Sequence, residues 1–147
     1  MQPNTIAIGC DHAGFPYKEA VINYLQSQGF RVNDFGTHSL DSVDYPDFVH
    51  PLAKSIEAGE SDMGILICGS GNGVCITANK HAKIRAAMVW REDVSKLARQ
   101  HNDANVICIP ARFISLEEVI QFIAVFLHTE FEGGRHQKRV DKISDLF

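Results

Sequence analysis

The arrangement in this chain best suited to chemistry is a thiol that runs directly into a glycine-rich turn. Gly64 to Gly73 reads Gly-Ile-Leu-Ile-Cys-Gly-Ser-Gly-Asn-Gly, an apolar run that delivers Cys68 into Gly69-Ser70-Gly71-Asn72-Gly73. A helix is expected at once, through Val74 to Lys80. Glycines permit positive φ and close backbone approach, and the first amides of a helix have no partners inside it. Such a turn offers N–H groups to an anion, and the field at a helix N-terminus favours a thiolate. A nucleophile or base beside an anion cradle points to chemistry on an anionic substrate; the competing reading is a buried strand cysteine.

Two cysteine or glycine chemistries fail on spacing. A phosphatase-type loop needs an arginine six residues after the cysteine, where this chain has Val74 after Cys68 and Pro16 after Cys10. The G-x-G-x-G turn lacks the last spacing of a dinucleotide fingerprint and follows the third strand instead of the first.

Further polar groups surround these motifs. Cys10-Asp11-His12-Ala13-Gly14 ends the first strand, where Asp11 and His12 either bind hydroxyls and relay protons or form an Asx turn and helix cap. His101-Asn102-Asp103 closes a helix, and a histidine there reads by itself as a cap favoured in its charged form. Arg135 and Arg139 are four apart, so on a helix they share a face and make either a phosphate clamp or a solvated surface. Arg112, just past the fifth strand, opens onto the sheet end that carries Cys68. Cys10, Cys75 and Cys108 are assigned to packing.

The elements that must position these groups alternate along the chain. Ile6-Ala7-Ile8, Ile65-Leu66-Ile67, Ala86-Ala87-Met88-Val89 and Val106-Ile107-Cys108-Ile109 are too continuous for a half-exposed sheet and fit strands covered on both faces. Phe30 to Asp34 is more polar and reads as an edge strand. Helices are expected over Pro16 to Gln28, around Phe48, Leu52 and Ile56, and around Val94, Leu97, Ala98 and His101. Another follows the Ser115–Glu118 capping box. Five βα units predict an α/β, doubly wound three-layer sandwich with a five-stranded parallel sheet in the order 2-1-3-4-5. The chain reads as one domain over 1–147, with a helical tail over 132–147 that packs on a partner or on the active site.

Composition sets the outer bounds. The 147 residues are 45% hydrophobic and 22% charged with a net charge of −4, an ordinary globular balance and a poor one for nucleic acid. No apolar run approaches the roughly 20 residues of a membrane span, and no secretion signal is visible at the N-terminus. The four cysteines and seven histidines show no zinc-ligand spacing, so reduced thiols, a cytoplasmic location and no metal are expected.

Taken together these motifs resemble the type B ribose-5-phosphate isomerases, in the superfamily that includes the galactose-6-phosphate isomerase subunits. The resemblance runs nearly end to end. It covers Gly-Cys-Asp-His-Ala-Gly at 9–14, Asp44-Tyr45-Pro46, Ile67 through Gly73, Ala78-Asn79-Lys80, Arg99 through Asn105, and Glu132-Gly133-Gly134-Arg135-His136. It implies that Cys68 is the base that removes the C2 proton and that His101 is the acid that opens the sugar ring. It also implies substrate contacts from Asp11, His12, Gly69, Ser70, Gly71, Asn72, Gly73, Asn102, Arg112, Arg135 and Arg139, with no cofactor. Some relatives use a Glu just after the turn; Val74 stands there, which leaves the role to Cys68.

The expected activity is interconversion of D-ribose 5-phosphate and D-ribulose 5-phosphate through an enediolate, a step of the pentose phosphate pathway. The alternatives are a six-carbon isomerase acting on allose or galactose 6-phosphate, and a non-catalytic sugar-phosphate binding module. In a parallel sheet His101 and Asn102, preceding the fifth strand, lie at the end opposite Cys68. If both serve one substrate, a two-fold partner must supply the histidine, giving a homodimer or dimer of dimers with shared active sites.

Overall fold

The computed structural model describes residues 2–145; Met1, Leu146 and Phe147, which end the expected domain and tail, lie outside the described residues. The strands are β1 (Thr5–Cys10), β2 (Arg31–Asp34), β3 (Met63–Cys68), β4 (Ala86–Met88) and β5 (Val106–Pro110). The helices are α1 (Phe15–Ser27), α2 (Pro46–Glu57), α3 (Asn72–Ala78), α4 (Glu92–Asn102), α5 (Leu116–His128) and the short tail helix α6 (Arg135–Asp141).

All strands pair in parallel, in the order β2-β1-β3-β5-β4. The fold class is the one expected and the far edge is not: the order 2-1-3-4-5 is corrected by the exchange of the last two strands. Burial explains it. Val106, Ile107, Cys108 and Ile109 are fully buried, which requires cover on both faces and a strand on each side. The three residues of β4 are only partly buried, which suits an edge.

Right-handed crossovers then assign the helices to faces. The chain moves one way across the sheet from β1 to β2, the other way to β3 and β4, and back to β5. One face accordingly packs Val21 and Leu25 of α1 with Ala98 of α4 and Val119, Ile123 and Phe126 of α5. The opposite face packs Val49, Leu52 and Ala53 of α2 with Val74 and Ala78 of α3. Each fully buried Val, Leu, Ile or Phe contributes about 1.5–3 kcal/mol.

Two helices repay closer reading. The Ser115–Glu118 capping box opens α5 as expected. In α4 the apolar stripe is less exact: Leu97 is exposed, whereas Ser95 and Arg99 are buried. Their polar atoms are satisfied by carbonyls, Ser95 Oγ donating to Phe122 at 2.7 Å and the Arg99 guanidinium to Thr129 and Ala104 at 3.1 and 2.6 Å. Among the described residues no helix is long and apolar enough to cross a membrane.

Candidate active site

In a parallel sheet every strand C-terminus opens on the same side, so Cys10, Cys68 and Pro110 end together; the register pairs Cys10 with Ile67 and Cys68 with Pro110. Cys68 is 4% exposed. The turn after it folds back because Gly71 adopts φ +76° as the N-cap of α3, a left-handed conformation that glycine takes without strain. The Gly71 N–H thereby donates to Cys68 Sγ at 3.1 Å. Gly73 permits close approach of another kind, since a Cβ there would overlap the Tyr45 ring.

The thiol is not activated in the way its position suggests. Burial pushes the Cys68 thiol above its ordinary value, and the amides of Val74, Gly71 and Ser70 only partly offset this, with the Asp11 carboxylate adding to the rise. The expectation that the helix terminus lowers this group is corrected: desolvation outweighs the amides. Cys10, also buried, is pushed up to about 11, mainly by burial and against the pull of Lys18.

Asp11 and His12 stand at the end of β1, beside the turn. Asp11 Oδ1 accepts from the amides of Ala13 and Gly14 at 2.9 and 3.0 Å, so the Asx turn is present; Oδ2 is left to other partners. His12 Nδ1 accepts from the Val43 N–H at 3.3 Å. That bond assigns the proton of the neutral ring to Nε2, making it a donor. Arg112 joins the same end as expected. Its backbone N–H donates to the Gly69 carbonyl at 3.1 Å, and its guanidinium lies over Gly69, 3.1 Å from where a Cβ would be.

The remaining candidates gather elsewhere. His101 and Asn102 lie in the last turn of α4, before β5, and therefore at the N-terminal end of the sheet. The tail folds onto this end, where the Glu132 N–H donates to the Gln100 carbonyl at 3.1 Å. His101 Nε2 is 3.4 Å from Glu132 Oε1, and its ring stacks on that of His136 with centroids 4.1 Å apart and planes 13° apart. Burial, followed by the charge of His101, holds the His136 imidazole below the ordinary histidine value. Arg135 and Arg139 are exposed on α6 as a basic pair.

The chain thus brings Asp11, His12, Cys68, Gly69, Ser70, Gly71, Asn72, Gly73 and Arg112 together, and separately His101, Asn102, Arg135 and Arg139. Tyr45, quoted above only within a motif, walls the turn against Gly73. Glu132 and His136 were missed as neighbours of His101, and ligand atoms of these three lie within 4.8 Å of one another. No spacing signal marks them, because the loop that joins them to His101 contains all of β5 and α5.

Known proteins resemble this chain along nearly its whole length. The family described as Ribose/Galactose Isomerase matches residues 6–143. Ribose-5-phosphate isomerase B of Escherichia coli is 43% identical over 96% of this chain and 95% of its own. A ribose 5-phosphate isomerase structure from Thermotoga maritima is 46% identical over 97% of this chain and 99% of its own, with a TM-score of 0.95. The Mycoplasma genitalium ribose-5-phosphate isomerase B, solved with bound ribulose-5-phosphate, is 42% identical over 99% of this chain and 97% of its own, with a TM-score of 0.93. With a family match across nearly the whole chain and relatives 43% and 46% identical along it, the chain belongs to the ribose/galactose isomerase family, among the ribose-5-phosphate isomerases of type B.

Proposed function

We propose that this chain interconverts D-ribose 5-phosphate and D-ribulose 5-phosphate, with Cys68 as the base and His101 as the ring-opening acid. The observation that carries the reading is Cys68 at the C-terminal end of β3, with a glycine turn and the first amides of α3 around its sulfur. The Mycoplasma genitalium relative with bound ribulose-5-phosphate supports the choice of a five-carbon sugar.

The chemistry follows from what each group can do. A proton from His101 to the ring oxygen, as the bond from C1 to that oxygen breaks and the C1 hydroxyl gives up its proton to water, releases the open-chain aldose. The Cys68 thiolate then removes the C2 proton, and the electron pair moves to the C1 carbonyl oxygen to give an enediolate. Amides of the turn stabilise that oxyanion, at about 3–4 kcal/mol for a well-placed donor. Return of that proton from the Cys68 thiol to C1, with the O2 proton passing to O1, gives the ketose and regenerates the thiolate. His12 Nε2–H and the free Asp11 Oδ2 suit sugar hydroxyls, and the guanidiniums of Arg112, Arg135 and Arg139 suit the phosphate.

Both halves of the site serve one substrate only if a two-fold partner contributes the second half. Val106 pairs with Gly64 at the start of β5, four residues before Cys68. His101 precedes Val106 and so lies more than about 13 Å along the strands from the thiol. A C2 dimer would bring His101, Arg135 and Arg139 of one protomer to Cys68 of the other and build two equivalent sites.

The test is turnover of aldose phosphates of different length. Ribose 5-phosphate should be converted far more efficiently than allose or galactose 6-phosphate. Better turnover of a six-carbon substrate would reassign the enzyme, and binding without turnover of any of them would make the chain a binding module.

A further inference from the structure

The tail of this chain builds a three-point cluster around His101 whose donor set is that of a transition-metal site. Two imidazoles and a carboxylate, His101, His136 and Glu132, each offer a ligand atom within 4.8 Å of the others. The cluster is held by backbone, not by chance contact: the Glu132 N–H is bonded to Gln100 at 3.1 Å and the His136 N–H to Gly133 at 3.0 Å. Among the described residues, the contacts found for the two rings are their mutual stacking and the 3.4 Å approach of His101 Nε2 to Glu132 Oε1.

We infer that His101, Glu132 and His136 form a site for a divalent cation of the zinc class, and that its occupation shuts off the isomerase by capturing His101. Histidine nitrogen and carboxylate oxygen with an open fourth position is a donor set that zinc uses, at about 2.0–2.1 Å from each nitrogen. Imidazole favours zinc, copper or nickel over magnesium and calcium. Closing the stacked rings onto one ion requires a tilt of His101, whose side chain is 38% exposed and free to move. Arg135 and Arg139 on α6 oppose a cation there, so the site is a reversible one and not a structural zinc centre.

The inhibitory consequence is direct. An imidazole nitrogen that donates its lone pair to a metal cannot carry the proton needed for ring opening. This second half rests on the role proposed for His101; the binding half does not.

The experiment titrates the untagged chain with Zn2+ by calorimetry and with Co2+ by its visible absorption, in wild type, Glu132→Gln and His136→Ala. One ion should bind per chain. Loss of a ligand should weaken binding at least as much as the about 10–100-fold that outer-shell partners cost. Glu132 is exposed, so Glu132→Gln remains informative if His136→Ala does not fold. Zn2+ should inhibit isomerisation in proportion to occupancy, with activity restored by EDTA, and the inhibitory concentration should rise in Glu132→Gln by the same factor as the dissociation constant. No binding at millimolar Zn2+, or equal affinity in wild type and Glu132→Gln, would overturn the site. Full occupancy with undiminished turnover would overturn the inhibition. A metal-free wild type without isomerase activity would count against the isomerase reading alone, since the titration would still decide the site.

Discussion

If the two halves of the site come from different protomers, two dead enzymes should make a live one. Cys68→Ala removes the proposed base from one sheet end, and His101→Ala removes the proposed acid from the other. The separation makes the effect quantitative. His101 lies beyond the Val106–Gly64 pairing, more than about 13 Å along the strands from Cys68, so neither residue can substitute for its counterpart within a chain. Each homodimer therefore has two damaged sites. Unfolded together and refolded at equal concentrations, the variants should pair at random and make half heterodimers. Each heterodimer carries one site with both residues and one with neither. Half of the dimers with half of their sites intact gives about a quarter of wild-type activity. The assay is ribulose 5-phosphate formation, with native mass spectrometry to count heterodimers. Heterodimers present at the expected fraction, without recovered activity, would show that Cys68 and His101 act within one chain.

The basic pair and the buried thiols give two more outcomes. If Arg135 and Arg139 clamp the phosphate, Arg135→Ala or Arg139→Ala removes a charged hydrogen bond worth about 1.5–3 kcal/mol, and KM for ribose 5-phosphate should rise about 10–150-fold; comparable efficiency of the wild type on ribose and its phosphate would end the clamp idea. Cys10 should make the fold sensitive to alkali. Its folded value of about 11 lies above the ordinary thiol value of 9.0, so the folded state holds the proton more tightly. The contribution, about 3 kcal/mol at full extent, is present below about pH 9 and is lost as the pH rises through about 11. Urea midpoints across that window should fall less in Cys10→Ala than in wild type, and parallel losses would contradict the assignment.

Much of this architecture can be read from local patterns. The continuous apolar runs at Ile6, Ile65 and Val106 announce fully covered strands, and the Ser115–Glu118 pair marks the start of α5 to the residue. The exchange of β4 and β5 is different, because it depends on which strand most needs cover, a comparison across the whole sheet. The buried face of α4 escapes a hydrophobicity pattern for a related reason: Ser95 and Arg99 are buried only because distant carbonyls accept their hydrogen bonds. At the site, the amides around Cys68 follow from its turn, but the desolvation that outweighs them comes from packing by other elements. The His12 tautomer likewise depends on Val43, 31 residues away. Glu132 and His136 reach His101 only because the tail returns across α4.

The central claim is that the Cys68 thiol moves the C2 proton, and turnover of Cys68→Ala in deuterated water tests it most directly. Wild type should convert ribose 5-phosphate to ribulose 5-phosphate with deuterium entering the product from solvent, as NMR would record. Cys68→Ala should lose both conversion and exchange by at least the about 100-fold expected for removing a general base, while still binding ribulose 5-phosphate. Conversion by Cys68→Ala within a few-fold of the wild-type rate would contradict the claim and require another base.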